Sequence, residues 1–277
     1  MFERAYAKIN LSLDINGVRD DGYHTLKSIF LPINFYDEIN IIKNDVMEFV
    51  CNKKYIHYDE NNTIYKTIEL IKRKYDIHDN FKITLNKQIP TQAGLGGGSS
   101  DASATLKIIN KMYKLNLSDD DVKEICTKVG ADVLFTYYNK PALVSGVGEN
   151  LEFIDVKDNY YLLIIKPRFG VSTKECYRLM DLNTCVHPNV DGLKDALING
   201  DDIIPYLGNS METTAISLLN DIEKAEELLK ENGAQFVLMS GSGSSVFTMS
   251  KDKEFIESIY DEVKDKGYYT RFTNIIK

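Results

Sequence analysis

Pro90-Thr91-Gln92-Ala93-Gly94-Leu95-Gly96-Gly97-Gly98-Ser99-Ser100-Asp101 is the stretch on which the fold turns. It follows a segment of alternating apolar residues, Phe81 to Leu85, and opens a helical pattern in which Ala102, Leu106, Ile109 and Tyr113 share one face. Its four glycines clear side chains from the backbone, so that N–H groups can approach an anion. The helix behind them adds unpaired first-turn N–H groups and the positive end of its dipole. A flexible Gly/Ser linker would not sit between a strand and a helix in this way. The spacing also excludes the two common phosphate loops. Ser99 stands where G-x-x-x-x-G-K-[ST] needs Lys, and where G-x-G-x-x-G needs its third Gly or Ala. The loop is a phosphate cradle of a third kind.

Upstream, Ala5, Ala7, Ile9, Leu11, Leu13 and Ile15 alternate with Tyr6, Lys8, Asn10, Ser12 and Asp14. That is a strand with one buried face, and it puts Lys8 and Asn10 together on the other. In an arbitrary strand they would meet solvent. Asn16-Gly17 and Asp21-Gly22 are turn signals around Arg19 and Asp20, followed directly by Tyr23 and His24. Further strands are expected at Ser28–Phe35 and Glu38–Lys43. A helix is expected where Ile64, Ile68, Ile71 and Tyr75 recur, with Asp59 to Asn62 as caps. Ser118 and Asp121 form a capping-box pattern for a helix that Gly130 ends, and Asp132 follows at that element's end. Ala142–Val144 and Leu151–Ile154 read as short strands.

The second half restarts with a strand at Tyr161–Ile165 and a helix capped by Ser172. A helix at Ile222–Glu231 follows, then strands at Gln235–Met239 and Ser245–Met249 joined by Ser240-Gly241-Ser242-Gly243-Ser244. A helix at Phe255–Val263 and a strand at Tyr269–Ile275 close the chain. This order predicts a split β-α-β layout with a helical insert, in an α+β protein of two domains, 1–155 and 156–277.

Composition narrows the function. A formal net charge of −8 argues against nucleic-acid binding, which needs a basic surface. Cys51, Cys126, Cys176 and Cys185 form no C-x-x-C pair, which suggests reduced thiols and a cytoplasmic location. Glu3, Arg4 and Lys8 do not fit the apolar region of a signal peptide, and no apolar run is long enough to span a membrane.

The strand with Lys8 and Asn10, the GLGGGSSDA loop and the late GSGS turn together resemble the GHMP small-molecule kinases, over essentially the whole chain. The A-K-I-N run at 7–10, D-G-Y-H at 21–24 and G-A-D-V at 130–133 are similar to the branch whose substrate is an alcohol carried on cytidine diphosphate. Ser103 and Thr63 depart from the usual Ala and Leu beside the site. The resemblance implies a two-domain fold, with a mixed-sheet N-terminal domain and a ferredoxin-like C-terminal one. It implies phosphoryl transfer from ATP to an alcohol, with Asp132 as base and Lys8 as its partner. An ordinary aspartate, with a pKa of about 3.9, is too weak to strip an alcohol beforehand, so proton transfer must accompany P–O bond formation. Gly94, Leu95, Gly96, Gly97, Gly98, Ser99 and Ser100 would hold the ATP phosphates, with Pro90, Lys87 and Asn62 as further ATP contacts. Lys87 reads equally as a solvated strand-end charge. Asn10, Tyr23, His24, Tyr177, Gly241 and Ser242 would bind the acceptor, the tyrosines stacking on cytosine. Mg²⁺ is implied with ATP, held by phosphates, water and a loop serine, since no carboxylate pair announces a metal cage. The remaining readings are a homoserine- or mevalonate-type kinase, a non-catalytic sensor of this fold, and an RNA-binding module. A monomer and a homodimer are both compatible with the sequence.

Overall fold

A computed structural model describes residues 1–277, which divide into two compact units. The first comprises Met1–Ala7, Phe35–Pro90 and Gly96–Asn139; the second comprises Lys8–Asn34, Thr91–Leu95 and Lys140–Lys277. Residue 155 lies within the second unit. The chain passes between units inside two strands, on either side of Thr91–Leu95 and after Asn139, and inside a strand or the phosphate loop residue-by-residue periodicity carries no mark of a boundary.

Two long strands open the chain, β1 (Phe2–Val18) and β2 (His24–Asn44). The expected strands at Ser28–Phe35 and Glu38–Lys43 are one strand, β2. Asp37 interrupted the apolar pattern in the sequence, yet it is fully buried on the same face as Phe35 and Ile39. A buried cation neutralises it, so the strand continues.

In the first unit, β3 (Glu48–Cys51) runs parallel to β4 (Asn80–Asn86). β4 is antiparallel to the Glu38–Asn44 part of β2, pairing Ile39 with Leu85 and Ile41 with Ile83. The helices are α1 (Thr63–Tyr75), α2 (Gly97–Tyr113), α3 (Asp119–Val129) and α4 (Val133–Tyr138). Ile64, Ile68 and Ile71 of α1 and Leu106 and Ile109 of α2 are buried, and α1 packs on α2. The capping box forms as read: Ser118 Oγ accepts from Asp121 N, and Asp121 Oδ2 accepts from Ser118 N, both at 3.2 Å. α4 spans six residues, too few for its period to show in the sequence.

In the second unit, β5 (Ala142–Gly146) pairs antiparallel with Leu26–Phe30 of β2, and β6 (Asn150–Phe153) with β5. There follow β7 (Tyr161–Lys166), α5 (Thr173–Leu179), α6 (Val190–Asn199), α7 (Glu212–Leu218) and α8 (Asp221–Glu231). β8 (Leu238–Met239), β9 (Val246–Ser250), α9 (Lys253–Val263) and β10 (Tyr269–Asn274) complete the chain. The sheet order is β10-β7-β9-β8, antiparallel throughout. With α8 and α9 this is the expected split β-α-β arrangement, and α5 to α7 are its helical insert. Leu163, Ile165, Val246, Ile222, Ala225, Leu229, Ile256 and Ile259 form its core. The strand expected at Gln235–Met239 is only Leu238–Met239, because the chain is still closing α8 at Ala234, whose N–H bonds Leu229 O. No helix is long and apolar enough to cross a membrane.

Candidate active site

The first unit carries one half of the predicted chemistry. Gly96, in a left-handed conformation (φ 68°), is the N-cap of α2 and offers no side-chain bond. The first intrahelical bond of the loop runs from Ser100 N to Gly96 O, so the amides of Gly97, Gly98 and Ser99 have no partner in the helix. Ser99 is half-buried and its hydroxyl makes no intramolecular bond, although its carbonyl accepts from Thr136 Oγ1 at 3.0 Å. Ser100 is different. It is fully buried and its hydroxyl donates to Tyr6 O and Gly96 O, tying the helix start to β1. Thr63 Oγ1 donates to Gly98 O at 2.6 Å. The preceding Asn62 caps α1, accepting from Ile64 N at 2.9 Å and donating to His57 O at 2.7 Å. Pro90 is half-buried at the end of the segment before the loop.

Lys87 does not reach into solvent. It is 3% exposed, and its ammonium lies 2.6 Å from both Asp37 Oδ2 and Asp101 Oδ2. Asp37 Oδ1 in turn accepts from Gln88 N and Ile89 N at 2.5 and 2.8 Å. Burial opposes the charge on Lys87, but Asp101 and Asp37 outweigh it and hold its pKa above the ordinary lysine value. Burial raises the pKa of Asp101, against the pull of Lys87. A Cβ on Gly97 would stand 3.0 Å from Lys87 Nζ, so the cluster underlies the loop. The reading of Lys87 as a solvated strand-end charge is therefore corrected: two buried carboxylates hold it in. Asp132 is the N-cap of α4 by position, yet its carboxylate makes no capping bond to the helix.

The second unit carries the other half. Lys8 is 3% exposed; its Nζ donates to Asn10 Oδ1 and lies 4.4 Å from the centre of the Phe30 ring. Asn10 is 2% exposed and donates to Ser28 Oγ at 3.1 Å, which donates on to Ser12 O. The strand period thus places the pair side by side as read, on a buried polar face. Lys8 N donates to Leu95 O, and Ser240 Oγ bridges Asn10 N (3.2 Å) to Gly94 O (2.9 Å). A Cβ on Gly94 would lie 1.8 Å from Ser240 O, so only glycine fits there. Asn209 Nδ2 donates to Met239 O and Gly241 O, both at 2.8 Å, and shapes the Ser240–Ser244 turn. The amides of Gly243, Ser244 and Ser245 bond Ser240 O, Gln92 O and Ala93 O, which leaves those of Gly241 and Ser242 without a backbone acceptor. Ser242 Oγ is 2.7 Å from Thr173 Oγ1. The rings of His24 and Tyr177 are 4.9 Å apart at 35°, and Tyr23 is 66% exposed.

Comparison with known proteins bears on this arrangement. The model of the GHMP kinase N-terminal domain matches residues 62–140, and that of the C-terminal domain matches 193–269. The 4-diphosphocytidyl-2-C-methyl-D-erythritol kinase of Clostridium beijerinckii is 40% identical over 269 residues, 95% of each chain. The chain belongs to that family of GHMP kinases. The Bacillus cereus enzyme of the same name is 37% identical over 94% of this chain and 92% of its own. A crystal structure of 4-(cytidine 5'-diphospho)-2C-methyl-D-erythritol kinase superposes over 100% of both chains, with a TM-score of 0.84 and 26% identity. The Cytophaga hutchinsonii homoserine kinase shares the fold at TM-score 0.74 and 18% identity, over 98% of this chain and 94% of its own. The fold is the two-domain GHMP kinase fold, and members of the family are ATP-dependent small-molecule kinases.

Six further residues shape these surroundings and were not read from the sequence: Asp37, Asp101, Ser28, Asn209, Ser240 and Thr173. Asp101 stood in view, directly after the loop serines, where an acidic residue just past the first helical turn reads as an ordinary helix residue. Asp37 and Ser28 lie in strand pattern without a motif.

Proposed function

We propose that this protein transfers the γ-phosphoryl group of ATP to the 2-hydroxyl of 4-diphosphocytidyl-2-C-methyl-D-erythritol, a step of the non-mevalonate route to isoprenoid precursors, in the cytoplasm. The observation that carries the reading is the 40% identity to a kinase of that name over 95% of both chains. The amides of Gly97, Gly98 and Ser99 suit the phosphates of ATP, since a helix N-terminus stabilises anionic oxygens. Asp132 takes the hydroxyl proton as the P–O bond forms, and Lys8, oriented by Asn10, offsets the charge on the transferring group. Tyr23, His24 and Tyr177 receive the cytidine; the close His24–Tyr177 rings favour a flat base. Gly241 and Ser242 offer amides to the acceptor's diphosphate.

Mg²⁺ fits the chain as a companion of ATP rather than as a resident ion. No group of three or more His, Cys, Asp or Glu side chains could hold a metal, and Asp37 and Asp101 are taken by Lys87. The unbonded hydroxyl of Ser99 is the loop group that would join the phosphates in holding it. Its chemistry is neutralisation of phosphate charge. The test is a panel of acceptors with ATP and Mg²⁺: the cytidyl compound, homoserine and mevalonate. Phosphorylation of the cytidyl compound alone is expected; phosphorylation of homoserine or mevalonate without it would refute the assignment.

A further inference from the structure

Three side chains of the second unit that phosphoryl transfer leaves unused stand in a relay. Asp14 Oδ1 is 2.7 Å from His187 Nδ1, and His187 Nε2 is 3.6 Å from Cys185 Sγ. Asp14 belongs to β1, held there by bonds from Leu13 N to Gly208 O and from Ser210 N to Leu13 O. Cys185 and His187 lie between α5 and α6. His187 Nε2 is also 3.0 Å from Leu182 O, the carbonyl that Cys185 Sγ faces at 3.7 Å. Each ring nitrogen therefore meets an oxygen acceptor. A neutral imidazole has a single N–H and serves one of them; the imidazolium serves both. Asp14, with Leu182 O, raises the pKa of His187 above its ordinary value.

The other cysteines lack this setting. Cys126 and Cys176 are fully buried, and burial pushes their pKa values up to about 12 and about 11. Cys51 Sγ donates to Asn52 Oδ1 and accepts from Lys53 N, and bonds no imidazole. Cys185 is half-buried between exposed neighbours, Thr184 and Val186. Carboxylate, imidazole and sulfur in hydrogen-bond order is the geometry of an activated cysteine, and the cluster does not form a metal site.

We propose that Cys185 is a modification site: a reactive thiol, held by His187 and Asp14, whose partner is a low-molecular-weight disulfide. The Cys185 thiolate attacks one sulfur of that disulfide and the S–S bond breaks. A new S–S bond joins Cys185 to one half, and the other half leaves as a thiolate that takes a proton from solvent.

Brief exposure of the full chain to glutathione disulfide, quenched by alkylation and mapped by peptide mass spectrometry, measures the rate at each cysteine. Cys185 is expected to form the mixed disulfide about tenfold faster than Cys51. His187→Gln and Asp14→Asn are each expected to slow Cys185 several-fold while the Cys51 rate holds, which separates activation from general loosening. Equal wild-type rates at Cys185 and Cys51 would overturn the proposal. So would a Cys185 rate indifferent to His187→Gln in a variant whose circular dichroism matches wild type. Should a variant misfold, labelling of Cys126 and Cys176 would report it, and the wild-type comparison alone then decides.

Discussion

Replacing Glu212 by Gln should stabilise the protein, and only at neutral to alkaline pH. Glu212 opens α7, and its Oε2 accepts from Met239 N at 3.0 Å, one residue before the Ser240–Ser244 turn. Glu226 of α8 is 6% exposed, and one of its oxygens has no partner. Burial, reinforced by Glu226, lifts the Glu212 carboxyl from its ordinary 4.5 to about 7, although Met239 N and Lys230 pull the other way. Between those two values the folded chain binds more protons than the unfolded one, so stability falls as pH rises through that window. At about 1.4 kcal/mol per pH unit, the ionised carboxylate costs up to about 3 kcal/mol above pH 7. Gln keeps an oxygen for Met239 N and cannot ionise. Urea unfolding near pH 4 should barely distinguish the two proteins. At pH 8 the variant should be more stable by about 2–3 kcal/mol, a midpoint shift of about 1 M. A variant no more stable than wild type at pH 8, or one equally stabilised at both pH values, would refute the reasoning.

Three other substitutions probe the loop and its surroundings. Lys87→Met leaves Asp37 and Asp101 buried without their shared cation. It should cost about 3–5 kcal/mol, a fall of roughly 10 °C in the thermal midpoint of the ATP-free protein; an unchanged midpoint would mean that the cluster is not structural. Gly94→Ala places a methyl 1.8 Å from Ser240 O at a φ of +72°. The loop and the Ser240 turn must then part, with loss of about 2 kcal/mol or more and a raised KM for ATP; wild-type kinetics would contradict the close approach. Tyr23→Ala, at a residue 66% exposed, should leave stability within about 0.5 kcal/mol. It should raise KM for the cytidyl substrate and not for ATP, and equal losses for both would remove Tyr23 from the cytidine site.

What could be read from the sequence was what one periodicity or one motif carries alone. The alternation of 5–15 put Lys8 and Asn10 on one face, where Lys8 Nζ donates to Asn10 Oδ1. Ser118 and Asp121 cap α3 as a reciprocal pair, and the Gly-rich stretch opens α2. The features that escaped depend on partners distant in sequence. Asp37 looked like the break between two strands, because nothing near it announces Lys87, fifty residues on. Ser240 reads as a turn residue until it is seen bonded to β1 and to Gly94. α6 carries Gly192 inside its first turn and is capped by Asn189, a pattern that reads as loop. The interleaving of the two units has the same origin, since each gathers segments from both sides of the phosphate loop.

The most direct measurement is product formation from ATP and 4-diphosphocytidyl-2-C-methyl-D-erythritol, followed by mass spectrometry for wild type and Asp132→Asn. The proposed function predicts ADP and singly phosphorylated cytidyl product in equal amounts from wild type. The variant should bind both ligands yet turn over about a thousandfold more slowly, or less. ADP without phosphorylated acceptor, or a variant that turns over near the wild-type rate, would contradict it.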